Sequence, residues 1–174
     1  MEKPKEIIYI GNHLSYSRKY SGAGEVITSH LRERGWNVLL SSRKENKIYR
    51  LLDMLCSIFT NRKKFHIAIV DIFSGQSFIW GYLSSILLEL LGKPIILILR
   101  GGDLPDFCQK NPKLFSNLLS WASTVTAPSK YLISQLSQHN DGILLIPNGI
   151  DVDSYPYKLR VSPEPNLIWL RAFH

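Results

Sequence analysis

The feature that most constrains the fold is a regular alternation of short β-rich runs with longer helical patterns. Runs of β-branched and aromatic residues cover residues 5–11, 36–41, 65–71, 94–99, 124–127 and 143–146. Apolar residues recur at helical spacing between these runs, in residues 25–34, 48–59, 76–91, 113–121 and 129–136. Because right-handed crossovers return each helix to the sheet, this order predicts an α/β protein with a doubly wound, mainly parallel, Rossmann-like sheet.

One apolar stretch, residues 78–99, has a composition close to that of a membrane span. Glu89 and the run Gly92-Lys93-Pro94 interrupt it after about 16 residues, whereas a spanning helix needs about 20. We therefore predict a buried helix followed by a buried strand. The run PIILIL at residues 94–99 is typical of a strand covered on both faces.

Composition favours a globular protein of the reducing cytoplasm. The 174 residues, 45% apolar and 20% charged, suit one domain with a substantial core. Cys56 and Cys108 lie far apart without metal-ligand or disulfide-framework spacing, so we predict no metal site. The N-terminus is charged and carries no signal-peptide hydrophobic region. We expect a cytoplasmic location.

The positive charge is concentrated in the first third of the chain. Residues 1–64 hold 13 basic against 6 acidic side chains, which accounts for the whole net charge of +7. Cations lead the helical pattern of residues 48–59 and follow it: Arg43, Lys44, Lys47 and Arg50 at its start, and Arg62, Lys63 and Lys64 after its end. This distribution predicts a basic surface that meets an anionic partner, such as the inner face of a membrane. The alternative is that the helix packs on the sheet with its charges solvated; no nucleic-acid motif accompanies the charge.

The loop after the first strand is rich in small residues. It ends in Gly22-Ala23-Gly24, which opens the next helix, and small residues there let backbone N–H groups approach a phosphate. The dinucleotide fingerprint does not fit, because Ile27 stands at its third glycine and no acid follows the second strand. We predict an anion site at residues 22–24, with His13 in reach of a ligand. The alternative is a flexible turn and helix start.

The loop after the fourth strand, Arg100-Gly101-Gly102-Asp103, combines a cation, a carboxylate and two glycines. That composition is typical of a polar substrate pocket. The alternative is an ordinary connection in which Asp103 or Asp106 caps the next helix. No residue pattern identifies a catalytic group.

Four segments carry a resemblance to a known family. They are SGAG (21–24) followed by LRERGWNV (31–38), LGKPII (91–96) followed by RGGDLP (100–105), APS (127–129) and IPNGID (146–151). Together they resemble the N-terminal domain of family 4 glycosyltransferases, which have the GT-B fold of two facing Rossmann-like domains. The resemblance implies an acceptor-side domain over residues 1–155. Residues 156–174 would be a linker and the first strand of a C-terminal donor-binding domain that this chain lacks.

The resemblance also implies an activity. The donor would be a nucleotide sugar, held mainly by the C-terminal domain, and the acceptor a glycan or a lipid-linked molecule. Such enzymes retain the anomeric configuration and need no further cofactor; the donor phosphate helps to remove the acceptor proton. Residues 22–24 would face the diphosphate, and His13, Arg100, Gly101, Gly102 and Asp103 would line the acceptor side. We expect no normal turnover from this half alone.

One position departs from the family. Arg100 stands where relatives commonly have histidine. Since a guanidinium is no base at neutral pH, its role would be electrostatic, such as holding a phosphate or a carboxylate. Two other functions stay open: a non-catalytic Rossmann-like module that binds an anionic ligand or a membrane, and an epimerase of similar architecture.

Overall fold

A computed structural model of the chain describes residues 6–11, 22–41, 46–149 and 159. Its strands are β1 (Glu6–Ile10), β2 (Asn37–Ser41), β3 (Ile67–Ile72), β4 (Ile95–Leu99), β5 (Thr124–Ala127) and β6 (Leu144–Leu145). Its helices are α1 (Ala23–Glu33), α2 (Lys47–Asn61), α3 (Gln76–Leu90), α4 (Leu104–Lys110), α5 (Pro112–Ser120) and α6 (Lys130–Leu136).

The six strands form one sheet in the order β2-β1-β3-β4-β5-β6, and every neighbouring pair is parallel. Tyr9 of β1 stands opposite Ile69 of β3, and Ile69 stands opposite Ile96 of β4. This confirms the predicted α/β class with a doubly wound parallel sheet.

Helices cover both faces of the sheet. On one face, alternate strand residues pack against α2 to α6 and form the larger core, which includes Ile8, Val70, Leu97 and Phe115. On the other face, α1 packs on β1, β2 and β3 around a smaller core that consists of Ile7, Tyr9, Val38 and Ile69. Side chains that alternate in direction along each strand therefore separate the two cores.

Local sequence signals explain where the helices begin. The Asn46 side chain accepts N–H groups of the first turn of α2, and the Ser129 hydroxyl accepts the N–H of Leu132 in α6. The sequence pattern did not predict α4, which has Pro105 in its first turn and ends at Asn111 just before Pro112 opens α5. A two-turn helix is too short to establish a helical period.

The apolar pattern of residues 48–59 does not form one buried face. Met54 and Ile58 point into the core, whereas Ile48, Leu52 and Phe59 are exposed. The pattern mixed an outward stripe at spacings of four and seven residues with an inward one, and both are compatible with helical periodicity. The helix packs on the sheet through Met54 and Ile58, as the alternative for this helix held, but part of its apolar surface stays exposed.

Among the described residues, no helix is long and apolar enough to cross a membrane. Helix α3 has 15 residues and a length of about 22 Å, against about 30 Å for a hydrocarbon core. It is followed by the buried strand β4, as the sequence predicted. Residues 156–174, apart from residue 159, lie outside the described part of the chain, and so does the predicted domain boundary at residue 155.

Candidate functional site

The strand order places a crevice at the carboxyl ends of β1 and β3. From β1 the chain turns towards β2 on one side, and it later reaches β3 on the other side. The connections from β1 to β2 and from β3 to β4 therefore lead to opposite sides, and open parallel sheets bind ligands at such a switch point. Gly11 follows β1 at this point, and Asp71 lies one residue before the end of β3.

Three buried polar side chains meet at this edge. The Arg100 Nε donates to Asp71 Oδ1 at 2.6 Å, and the Tyr9 hydroxyl donates to the same oxygen at 2.9 Å. The Arg100 Nη2 donates to the Tyr9 oxygen at 3.3 Å. Each side chain is at most 9% exposed. We call this group the Tyr9–Asp71–Arg100 cluster.

The backbone register explains why these residues meet. Tyr9 pairs with Ile69, so Asp71, two residues further along β3, points to the same face of the sheet. Asp71 in turn pairs with Ile98 of β4, and Arg100 follows Ile98 by two residues. The cluster therefore lies on the face that α1 covers.

Electrostatics fixes the protonation of the cluster. Burial, together with the neighbouring Asp71 carboxylate, raises the pKa of Tyr9 well above its ordinary value of 10.0. Burial by itself lowers the pKa of Arg100, but attraction to Asp71 outweighs it and the net pKa is raised. At neutral pH, Tyr9 is thus a neutral donor and Arg100 a cation paired with Asp71. The cluster holds its neighbours in place and offers no ready base.

The glycines nearest the cluster are required by packing. A Cβ on Gly11 would lie 2.6 Å from Asp71 Oδ2, and one on Gly24 would lie 3.1 Å from the Tyr9 hydroxyl oxygen. The first turn of α1 therefore sits directly against the cluster. A side chain on Gly11 would clash with the Asp71 carboxylate, and one on Gly24 would require Tyr9 to move by a few tenths of an ångström.

The segment of residues 146–149 closes the same edge from the far side. The Ile146 N–H donates to the Ala127 carbonyl at 3.0 Å beside β6, and the Arg100 Nη1 donates to Asn148 Oδ1 at 3.1 Å. A Cβ on Gly149 would lie 4.0 Å from Val26 Cγ1 of α1. The described part of the IPNGID motif thus runs from the edge strand back towards the start of α1.

The predicted phosphate-binding residues form the start of α1. Gly22 is exposed, has no heavy atom within 4 Å of an added Cβ, and donates its N–H to Glu25 Oε2 at 2.8 Å. This bond is the Glu25 half of a capping box, since Gly22 has no side chain to supply the other half, so a carboxylate already stands at this helix N-terminus. Ala23 and Gly24 are half-buried. An incoming phosphate would meet Glu25 as well as backbone donors.

The predicted acceptor-side residues divide into two sets. Arg100 is buried in the cluster, while Gly101, Gly102 and Asp103 are exposed. Gly101 has φ +92°, a conformation that favours glycine, and an added Cβ on Gly102 would meet open space. Asp103 occupies the N-cap position of α4 without a side-chain capping bond, so the capping alternative is wrong for this residue. His13 lies outside the described residues.

A small, open cleft lies on the α2–α3 side of Gly11 and Asp71. The other residues that line it are mainly apolar: Ile10, Met54, Phe73, Ser77, Trp80 and Gly81. The cleft and the cluster therefore share Gly11 and Asp71 but open on different faces of the sheet. Of the predicted residues, Gly24 and Arg100 contact the cluster, whereas an added Cβ on Gly101 would lie 3.8 Å from Phe73, which lines the cleft.

Sequence reasoning missed Tyr9 and Asp71, and it did not assign a role to Asn148. A signal for Asp71 was available, because it is the only charged residue in the apolar run IAIVDIF at residues 67–73. A buried strand tolerates such a charge only when it is paired. No comparable local signal marks Tyr9, whose partner lies 62 residues away.

Within residues 6–11, 22–41 and 46–149, no group of three or more His, Cys, Asp or Glu side chains could hold a metal ion. Burial raises the pKa of the Cys108 thiol to about 12, so it is protonated at neutral pH. Cys56 is exposed on α2.

No protein-family model matches this chain, and no curated protein matches it either. The resemblance to family 4 glycosyltransferases therefore stands on the four sequence segments alone.

Proposed function

We propose that residues 1–155 are the acceptor-side half of a retaining GT-B glycosyltransferase that uses a nucleotide-sugar donor. Three of the sequence segments that resemble the glycosyltransferase family meet at one edge of the sheet, and this supports the proposal. The glycine loop packs on Tyr9 and Asp71, the RGGD loop begins with Arg100, and the IPNG segment bonds to Arg100 through Asn148. These segments are far apart in sequence, so a shared binding edge accounts for their joint occurrence.

The chemistry of this edge fits a transferase that needs no protein nucleophile. The buried groups of the cluster are bonded to one another, and the exposed groups are backbone amides near Gly22 and Gly102 and the Asp103 carboxylate. Backbone amides suit a diphosphate, and an exposed carboxylate suits sugar hydroxyl donors. In this proposal the donor phosphate receives the acceptor proton.

Arg100 has a positioning role in this proposal and does not bind the acceptor. Its guanidinium joins β3, β4 and the IPNG segment, and its charge is matched by Asp71. The loop residues that follow it are then held at the crevice in one conformation. This replaces the expectation that Arg100 itself holds a phosphate or carboxylate.

A transfer assay tests the proposed function. The full chain is incubated with uridine, guanosine and adenosine diphosphate sugars and with glycan and lipid-linked acceptors, alone and fused to a GT-B donor-binding domain. We expect no turnover alone and transfer from the fusion, because half of a cleft supplies little transition-state stabilisation. Robust transfer by residues 1–174 alone would refute the half-enzyme proposal.

Two variants of the fusion make the assay specific for this site. Gly102→Asp places a second carboxylate at the exposed loop and should abolish transfer without affecting folding. Glu25→Gln keeps a capping-box partner for Gly22 but removes the competing charge, so it should lower the donor KM several-fold. Transfer that neither variant changes would refute this edge as the site, and no transfer from the fusion would favour the non-catalytic module that binds an anionic ligand or a membrane.

A further inference from the structure

Helices α2 and α3 lie side by side on one face of the sheet and present apolar residues to solvent. On α2, Ile48 is 72%, Leu52 51% and Phe59 51% exposed. These residues recur at spacings of four and seven, so they form one stripe along the outside of the helix. On α3, Ile79 and Leu90 are also exposed. We call these five residues the α2–α3 apolar face.

Positive charge borders this face at both ends. Lys47 opens α2 and donates to Gln76 Oε1 at the start of α3, at 2.8 Å. Beyond the end of α2, the Arg62 guanidinium lies 4.3 Å from the centre of the Phe59 ring, and Lys63 and Lys64 are exposed. The predicted basic surface is thus refined: Arg50 is buried, with its guanidinium 5.1 Å from the Trp80 ring, and takes no part.

An exposed apolar stripe with cations at its ends has the character of a helix that lies in a membrane interface. Large exposed apolar patches mark interaction sites, and apolar burial combined with attraction to anionic headgroups holds such helices at the surface. Each Lys or Arg near an anionic leaflet adds to the binding. The helices are too short to span the bilayer, so they would lie on it.

We propose that the α2–α3 apolar face docks this protein on an anionic lipid surface. The charges favour this occupant over a second copy of the chain. A symmetric dimer through this face would bring like-charged clusters together around the contact, at an electrostatic cost. The proposal does not depend on the transferase activity, since it concerns a different face of the molecule.

Cys56 provides a probe of docking. It is exposed and lies four residues after Leu52, beside the apolar stripe, whereas Cys108 is buried. An environment-sensitive fluorophore on Cys56 should shift to shorter wavelength with vesicles of phosphatidylglycerol and phosphatidylcholine. The shift should be small with phosphatidylcholine alone and should decline with rising salt. Co-sedimentation of the unlabelled full chain measures the binding itself.

Matched variants separate the apolar from the ionic contribution. Leu52→Gln with Phe59→Gln should weaken vesicle binding more than about tenfold, against no change for Leu114→Gln, an exposed leucine of α5. Lys63→Glu with Lys64→Glu should weaken it more than about tenfold, because each cation contributes about fivefold. Lys110→Glu with Lys113→Glu changes the net charge equally outside the face and should have a smaller effect.

Three outcomes would overturn the proposal. The first is equal binding of the Leu52/Phe59 variant and the unchanged chain. The second is binding that depends on net charge alone, with both lysine pairs equivalent. The third is a dimer in solution that the Leu52/Phe59 variant converts to monomer while the chain ignores vesicles. Circular dichroism of each variant confirms that the fold is intact.

Discussion

Replacement of Arg100 by methionine tests whether the cluster holds the edge of the sheet together. The change removes the guanidinium that bonds to Asp71 at 2.6 Å, in surroundings where Asp71 is only 9% exposed. A buried carboxylate that loses its cation costs about 3–5 kcal/mol of folding free energy. The bonds to Tyr9 and Asn148 are lost as well, so we expect the upper end of that range.

A double-mutant cycle isolates the ion pair from these other losses. Asp71→Asn keeps an acceptor for the Tyr9 hydroxyl but leaves Arg100 without a counter-charge, at an expected cost of about 3 kcal/mol. The double variant carries neither charge, so we expect about 4 kcal/mol rather than the sum of about 8. The coupling of about 4 kcal/mol measures the pair.

Urea unfolding followed by far-ultraviolet circular dichroism gives these free energies by linear extrapolation. Arg32→Met is the matched control, because Arg32 is exposed and makes one bond, to the Val38 carbonyl at 2.9 Å. It should cost about 1 kcal/mol or less. An Arg100→Met cost no larger than that of the control, or costs that simply add in the double variant, would refute the account of the cluster.

Three further predictions concern single side chains. Because the pKa of Tyr9 is raised in the folded protein, the Tyr9 hydroxyl of the unfolded chain loses its proton at lower pH, and the free energy of unfolding should fall above pH 10 by about 1.4 kcal/mol per pH unit. Urea titrations at alkaline pH should show this slope for the unchanged chain, and Tyr9→Phe should lack it. In urea unfolding, Gly24→Ala should lower the free energy of unfolding by about 1–3 kcal/mol because the new methyl group crowds the Tyr9 hydroxyl, whereas Gly22→Ala, with open space around it, should change it by about 0.5 kcal/mol or less. Equal costs would contradict the close packing of Gly24 on Tyr9. A thiol reagent at pH 8 should titrate Cys56 alone in the native protein and Cys108 only in urea; two rapid native thiols would contradict its burial.

Much of the fold could be read from the sequence because its signals are local. The run PIILIL at residues 94–99 predicted a buried strand, and the side chains of Asn46 and Ser129 cap the first turns of α2 and α6. The sequence pattern did not predict helix α4, because two turns bounded by Pro105 and Pro112 are too short to show a helical period. The sequence could not separate the outward apolar stripe of α2 from the buried one, because both stripes have helical spacing.

The candidate site was harder to predict because its contacts are distant in sequence. The loops at residues 22–24 and 100–103 were found from their glycines and their place after strands. The pairing of Arg100 with Asp71, 29 residues away, depends on strand register and on which face each residue takes. One residue of register shift would have pointed Asp71 to the other face. The composition of the loop suggested that Arg100 binds an anionic ligand, but only the fold shows that Arg100 is already paired with Asp71.

If the proposed function is correct, a nucleotide sugar binds this chain at the edge formed by the starts of α1 and α4 and the segment of residues 146–149. An amide ¹H–¹⁵N correlation spectrum of the full chain, titrated with nucleotide sugars, tests this binding. We expect millimolar binding with shifts that cluster at Gly22, Gly24, Gly101, Gly102 and Gly149. Shifts confined to the α2–α3 side, or no shifts with any nucleotide sugar at high millimolar concentration, would contradict it.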